Sequence, residues 1–183
     1  MIELIVPNGD LVARVHHIEA ACTASRLGVL ERLPGNPVGI EIRELGEGAL
    51  AMHARRIPNT LFNRATGLTS AHADRIDDIV SWYSERGVAC GFDVVPGLTP
   101  PEVITNLAAL GFGHLRFHAT LVARPAIAGP NASGVTVEQV TSETLEEFLE
   151  CHCRGWAVPD PEGFKNNVRG WLMEPGWRLF LGR

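Results

Sequence analysis

The chain has 183 residues, 45% of them hydrophobic and 20% charged, and a formal net charge of -5. That content supports a buried core and excludes wholesale disorder. The acidic balance, with scattered arginines and Lys165 as the one lysine, argues against a nucleic-acid partner, and no apolar run is long enough to cross a bilayer.

The predicted elements follow from periodicity and punctuation. Asp10 is placed to cap a helical region reaching about Leu33, with Leu11, Val15, Ile18 and Cys22 on one stripe and Leu27, Leu30 and Leu33 continuing it. Gly28 is a candidate break within it, and Pro34-Gly35-Asn36-Pro37 ends it. Residues 38–45 alternate, Gly46-Glu47-Gly48 signals a turn, and residues 49–57 read as the returning strand of an antiparallel hairpin. After Pro58-Asn59, residues 60–67 form a third expected strand. Ser70 is placed to cap a helix over 71–86 carrying Ile76, Ile79, Val80 and Tyr83, with Gly87 behind it. Residues 88–95 are a strand with Cys90, Phe92 and Val94 on one face. Thr99-Pro100-Pro101-Glu102 has the form of a capping box. The helix it opens ends at Gly111, and an alternating strand is expected over 114–123. The helix over 71–86 is a crossover long enough to make the flanking strands a parallel pair. The expected class is therefore α/β, with a mixed sheet and flanking helices.

Residues 1–124 are read as one domain and 125–134, rich in Pro and Gly, as a linker. Residues 135–183 restart the pattern: strand 135–140, a helix capped by Thr141 or Ser142 with Leu145, Phe148 and Leu149 on one face, a break at Pro159-Asp160-Pro161, a helix over 162–173, and a strand over 177–181. About fifty residues are few for an independent core, so this second unit reads as incomplete. Its last strand is strongly apolar, and is expected to pair with the first domain's sheet or with a second copy of the chain in a homodimer.

With the first helical region divided at Gly28, the order helix, helix, strand, strand, strand, helix, strand, helix, strand over 10–123, with Leu110-Gly111-Phe112 before the last strand, resembles the GNAT superfamily of acyl-CoA N-acyltransferases. The segment Gly134–Val140 and its following helix resemble the opening of a second such unit, so the chain is similar to the front part of a tandem-GNAT protein. The resemblance implies acetyl-CoA as cofactor, a small amine as acceptor, and direct attack of the neutral amine on the thioester. The family holds the coenzyme A diphosphate with a Q/R-x-x-G-x-G/A loop. The equivalent Gly67-Leu68-Thr69-Ser70-Ala71-His72-Ala73-Asp74 has one glycine, and Asp74, Asp77 and Asp78 lie close by. Carboxylates there suit a helix dipole and repel a diphosphate. The first unit is expected to lack a coenzyme A loop, leaving it as the non-cofactor-binding portion of an acyltransferase or as a non-catalytic binding or dimerisation module.

No catalytic residue is assigned by the sequence. Asn63 and Arg64 stand in the strand that, by the resemblance, lines the substrate cleft beside Phe92 and Val94; the alternative is that Asn63 caps a bulge, Asn being depleted in strands. Cys151-His152-Cys153 is read as packing rather than a metal site, since side chains two apart on a helix diverge. Of His16 and His17, one is expected exposed and the other half-buried. His114 and His118 are placed on a polar, solvent-facing side of their strand with Arg116 and Thr120. Trp82-Tyr83 and Trp156, Trp171 and Trp177 are read as core aromatics. The four cysteines form no disulfide framework, so a reducing cytoplasm is expected.

Overall fold

The computed structural model describes residues 8–57, 59–122, 134–156 and 161–183, the side chains of 161–164 excepted. The chain divides into two compact units, 1–124 and 125–183. Residues 125–133 of the expected linker lie outside the described residues.

The first unit opens with α1, Gly9–Glu31, which runs unbroken through Gly28. Its cap is Asn8 rather than Asp10: the Asn8 Oδ1 accepts the Leu11 N–H at 2.9 Å. The buried stripe also differs from the expected one. Ile18 and Cys22 are exposed, whereas Ala20, Leu27, Val29 and Leu30 are buried. The reason is that His16 and Thr23 turn toward the sheet to meet polar partners there.

Strands β1 (Ile40–Gly46) and β2 (Ala49–Ala54) form the expected antiparallel hairpin, with a register shift between Glu44 and Gly46. Strand β3, Arg64–Thr66, pairs antiparallel with β2 and parallel with β4, Gly91–Phe92, giving one sheet of order β1-β2-β3-β4. The third and fourth strands are much shorter than expected. Phe62 and Asn63 donate their N–H groups to the Asn59 carbonyl, so the chain is still turning where a strand was expected.

Between β3 and β4 come a 3₁₀ helix, Ser70–Arg75, and α2, Ile76–Ser84. The cap is Thr69, one residue before the expected Ser70. Helix α3, Pro101–Ala109, follows with Pro101 in its first turn. Thr99 does not cap it; its Oγ1 accepts the Val95 N–H at 2.8 Å.

Directly paired residues share a face of a sheet, and the register thus sorts the core. Ile40, Met52 and Ala54 meet Leu27 and Leu30 of α1 on one face. Ala49, Ala51 and Ala65 meet Ile76, Ile79 and Tyr83 with Val103 and Leu107 on the other. The three alanines leave room for Tyr83, which is fully buried and donates its hydroxyl to the Met52 carbonyl at 3.0 Å. Burial pushes the Tyr83 hydroxyl well above its ordinary range. Tyr83→Phe is expected to cost about 1 kcal/mol, the net worth of one hydrogen bond, read as a lower denaturation midpoint with unchanged slope.

Residues 114–122 are not a strand. Arg116 donates to Thr60 Oγ1 at 2.8 Å and Thr120 to Glu19, so the polar side chains are tethered, whereas Phe117 and Leu121 are 90% and 94% exposed. The alternation is present, but its polar members are the ones engaged.

The second unit contains β5 (Val137–Gln139), α4 (Leu145–Trp156), α5 (Pro161–Trp171) and β6 (Phe180–Gly182). Helix α4 begins later than Thr141 or Ser142 would place it; Thr144 Oγ1 accepts the Thr141 N–H at 3.0 Å. The terminal strand has a partner within its own unit. Strand β6 pairs antiparallel with β5, Glu138 opposite Leu181, and Leu179 and Leu181 are buried. Arg183 closes the same edge through Glu138 and Glu147.

Candidate functional site

The chain leaves β3 at Gly67, where the backbone takes φ 76°. A Cβ here would lie 3.2 Å from Ala49 Cα and 3.3 Å from the Gly48 carbonyl, so the loop runs against the β1–β2 turn. Two residues on, the Thr69 hydroxyl donates to Glu47 Oε2 at 2.5 Å. The Thr69 N–H donates to Nδ1 of His72, a buried ring three residues later, at 3.1 Å. This is a capping box with histidine in place of the usual glutamate or glutamine. Ser70 bonds to Glu102 of α3, and that bond holds the Glu102 carboxyl below its ordinary range. Arg75 Nη1 reaches the Leu45 carbonyl and Asn106 Nδ2 the Ala73 carbonyl, each at 2.9 Å. The helix start is thus sewn to β1 on one side and α3 on the other.

An anion seat at a helix start needs free N–H groups and a backbone that the anion can approach. Here the Thr69 N–H is bonded to an imidazole, and Glu47 and Glu102 already hold the two leading hydroxyls. Asp77 and Asp78 follow in the first turn of α2. These residues do not fit the diphosphate of coenzyme A.

Of the four residues expected at a substrate cleft, Arg64 and Phe92 lie on opposite faces of the sheet, and Asn63 and Val94 lie outside its strands. Asn63 is 1% exposed and serves the backbone: its Oδ1 accepts the Ala54 N–H at 2.9 Å, and its Nδ2 donates to the Ile57 carbonyl at 2.7 Å and the Asn59 carbonyl at 3.1 Å. It is the clamp of a turn. Arg64 pairs across the sheet with Met52 and so faces α1. Its Nε lies 3.1 Å from Asp93 Oδ2, and its Nη2 donates to Thr23 Oγ1 at 3.3 Å. Phe92 pairs with Ala65 on the opposite face and meets Phe112 edge-on at 5.0 Å. Val94, 45% exposed, lies beyond the end of β4.

Arg64 instead joins a polar group on the α1 face. Thr66 Oγ1 lies 3.2 Å from His16 Nε2, beside the Arg64–Thr23 bond and the Arg64–Asp93 pair. Arg26 sits over the Phe62 ring at 5.7 Å, and burial, with Arg64 nearby, lowers its pKa. His16 is half-buried and His17 exposed, as their adjacency on a helix requires.

In the second unit Cys151 is exposed and Cys153 buried, so the two thiols do diverge. No group of three or more metal-ligating side chains is found among the described residues. His152 stacks on Phe148 at 5.5 Å and meets Trp171 edge-on at 5.9 Å, while Trp171 stacks on Trp177 at 5.1 Å. These rings form a packed aromatic group, although Trp156 is largely exposed. His114 and His118 are exposed. No helix among the described residues is long and apolar enough to cross a membrane.

No family model, no curated protein and no solved structure matches the chain.

Sequence reasoning missed Glu47, Thr69, His72 and Glu102 as one group. The spacing Thr-x-x-His at a helix start was the available signal. The two glutamates come from a turn and from a later helix, and only the fold brings them there.

Proposed function

We propose that the first unit is a GNAT-like module that serves as the non-cofactor-binding portion of an acyl-CoA-dependent N-acyltransferase acting on a small amine. The antiparallel hairpin followed by a parallel β3–β4 pair across the α2 crossover supports the GNAT-like reading. The observation that supports the absence of a cofactor seat is the helix start, where His72 takes the Thr69 N–H and the Glu47 and Glu102 carboxylates sit on the Thr69 and Ser70 hydroxyls, a charge that repels a diphosphate. Acyl transfer is supported less directly. The order β5, α4, α5, β6, with its outer strands antiparallel, is the order in which a second GNAT-like unit would open.

The same helix start favours a second reading, a GNAT-like module that binds without reacting. Both readings give the same expectation for the cofactor. Calorimetric titration of the full chain with acetyl-CoA is expected to show no heat beyond dilution. A dissociation constant in the micromolar range would overturn the assignment of this unit as free of cofactor.

A further inference from the structure

His53 lies on β2 and is 2% exposed, yet neither ring nitrogen has a hydrogen-bond partner among the described residues. Buried polar groups are nearly always paired, and an imidazole carries at least one N–H to satisfy. The surroundings explain how the site is closed. The His53 ring meets Trp82 edge-on at 5.9 Å. The Arg86 guanidinium lies over the Trp82 ring at 4.1 Å. Arg86 donates through Nη2 at 2.7 Å and Nε at 3.1 Å to Oε2 of Glu41. Glu41 is the cross-strand partner of His53, and its other oxygen, Oε1, lies 3.6 Å from His53 Nδ1.

The charged groups that bear on the ring are Glu41 from β1, Arg86 from the end of α2, and Arg55 just beyond β2. Glu85 lies 3.9 Å from Arg86 on the outer side. Only Glu41 favours an imidazolium. Burial, joined by Arg86 and Arg55, holds the His53 pKa below its ordinary 6.5.

We propose that His53 is a proton-operated latch: on taking up a proton it draws Glu41 away from Arg86 and loosens the hold of the α2 end on β1. A buried imidazolium must pair, and the nearest carboxylate oxygen is already within 3.6 Å. Closing that gap to about 2.8 Å, the length of a charge-assisted bond, rotates the carboxylate and lengthens the two bonds that Arg86 makes to it. The direction with pH follows from linkage. The folded-state pKa lies below 6.5, so the unfolded chain takes the proton first. Stability is full above that value, declines as pH falls below it, and levels off once the folded protein is protonated too.

The test is an NMR titration of the full chain between about pH 8 and about pH 5, following the His53 ring protons and the Arg86 Nε–H. Both are expected to shift with one shared midpoint below 6.5. The Arg86 hydrogen bond holds the Glu41 carboxyl below its ordinary range, so that group titrates at lower pH and does not confuse the reading. In Glu41→Gln the His53 midpoint is expected to drop further, since the one charge raising it is gone. In His53→Phe the Arg86 signal is expected to stay flat. An Arg86 signal that ignores the His53 titration, or that shifts identically in His53→Phe, overturns the proposal. Should His53→Phe fail to fold, a His53 midpoint in Glu41→Gln that is unchanged or higher overturns it equally.

Discussion

Replacing Asn63 with alanine is expected to destabilise the first unit by about 3 kcal/mol, since each buried partner left unpaired costs about 1–3 kcal/mol. The side chain holds the Ala54 N–H and the carbonyls of Ile57 and Asn59, and Ala54 is itself fully buried. Asn63→Asp keeps an acceptor for that N–H and loses both donors, placing a carboxylate against two carbonyl oxygens. It is expected to be no better than alanine. Chemical denaturation of the two variants checks this. A loss under about 0.5 kcal/mol, the range of an ordinary surface change, would show that the clamp carries little.

Gly67→Ala is expected to cost a similar amount, about 3 kcal/mol. A left-handed backbone costs an L-residue roughly 1–2 kcal/mol, and crowding a filled site adds about 1–3 kcal/mol. Gly67 has φ 76°, and the atoms that a Cβ would meet are backbone of the β1–β2 turn at 3.2 and 3.3 Å. Backbone cannot swing aside as a side chain can. Gly87 supplies the control, with φ 65° and nothing within 4 Å. Gly87→Ala should show the conformational part alone, so the difference in thermal midpoint between the two variants isolates the crowding. Equal effects would mean that the loop is not pressed against the hairpin turn.

The crossover at the centre of the first unit was legible because its punctuation is strong. Asn59, Gly67 and Gly87 bracket the elements, and Ile76, Ile79 and Tyr83 share a stripe that is indeed buried. The ends of elements were less legible. Asn8 and Asp10 are both good caps two residues apart, and the sequence offers no means of choosing between them. The alternation over 114–122 has the period of a strand, but a strand also requires a neighbour, and period alone cannot supply one. The partner of the last strand was missed for a related reason. Val137 and Gly182 are paired across most of the second unit, and pairing at that separation leaves no local mark. At the candidate site, Arg64 and Phe92 were brought together by the resemblance, through the strands it sets beside a cleft. Their division between two faces depends on the register of β2, β3 and β4, which a sequence does not print.

Helix α1 is continuous in geometry but uneven in what anchors it. Its buried residues are Ala20 and then Leu27 to Leu30. Ahead of Ala20 the links to the rest of the unit include His16 to Thr66 and Glu19 to Thr120, polar contacts of which each contributes about 1 kcal/mol. The first three turns contribute half-buried Leu11, Val12 and Val15 but no fully buried residue, whereas the last turns pack on Ile40 and Met52. The helix is thus held to the core by its C-terminal half and to the sheet's polar residues by its N-terminal half. The end with the fewest buried residues is the one whose histidine meets Thr66 beside Arg64.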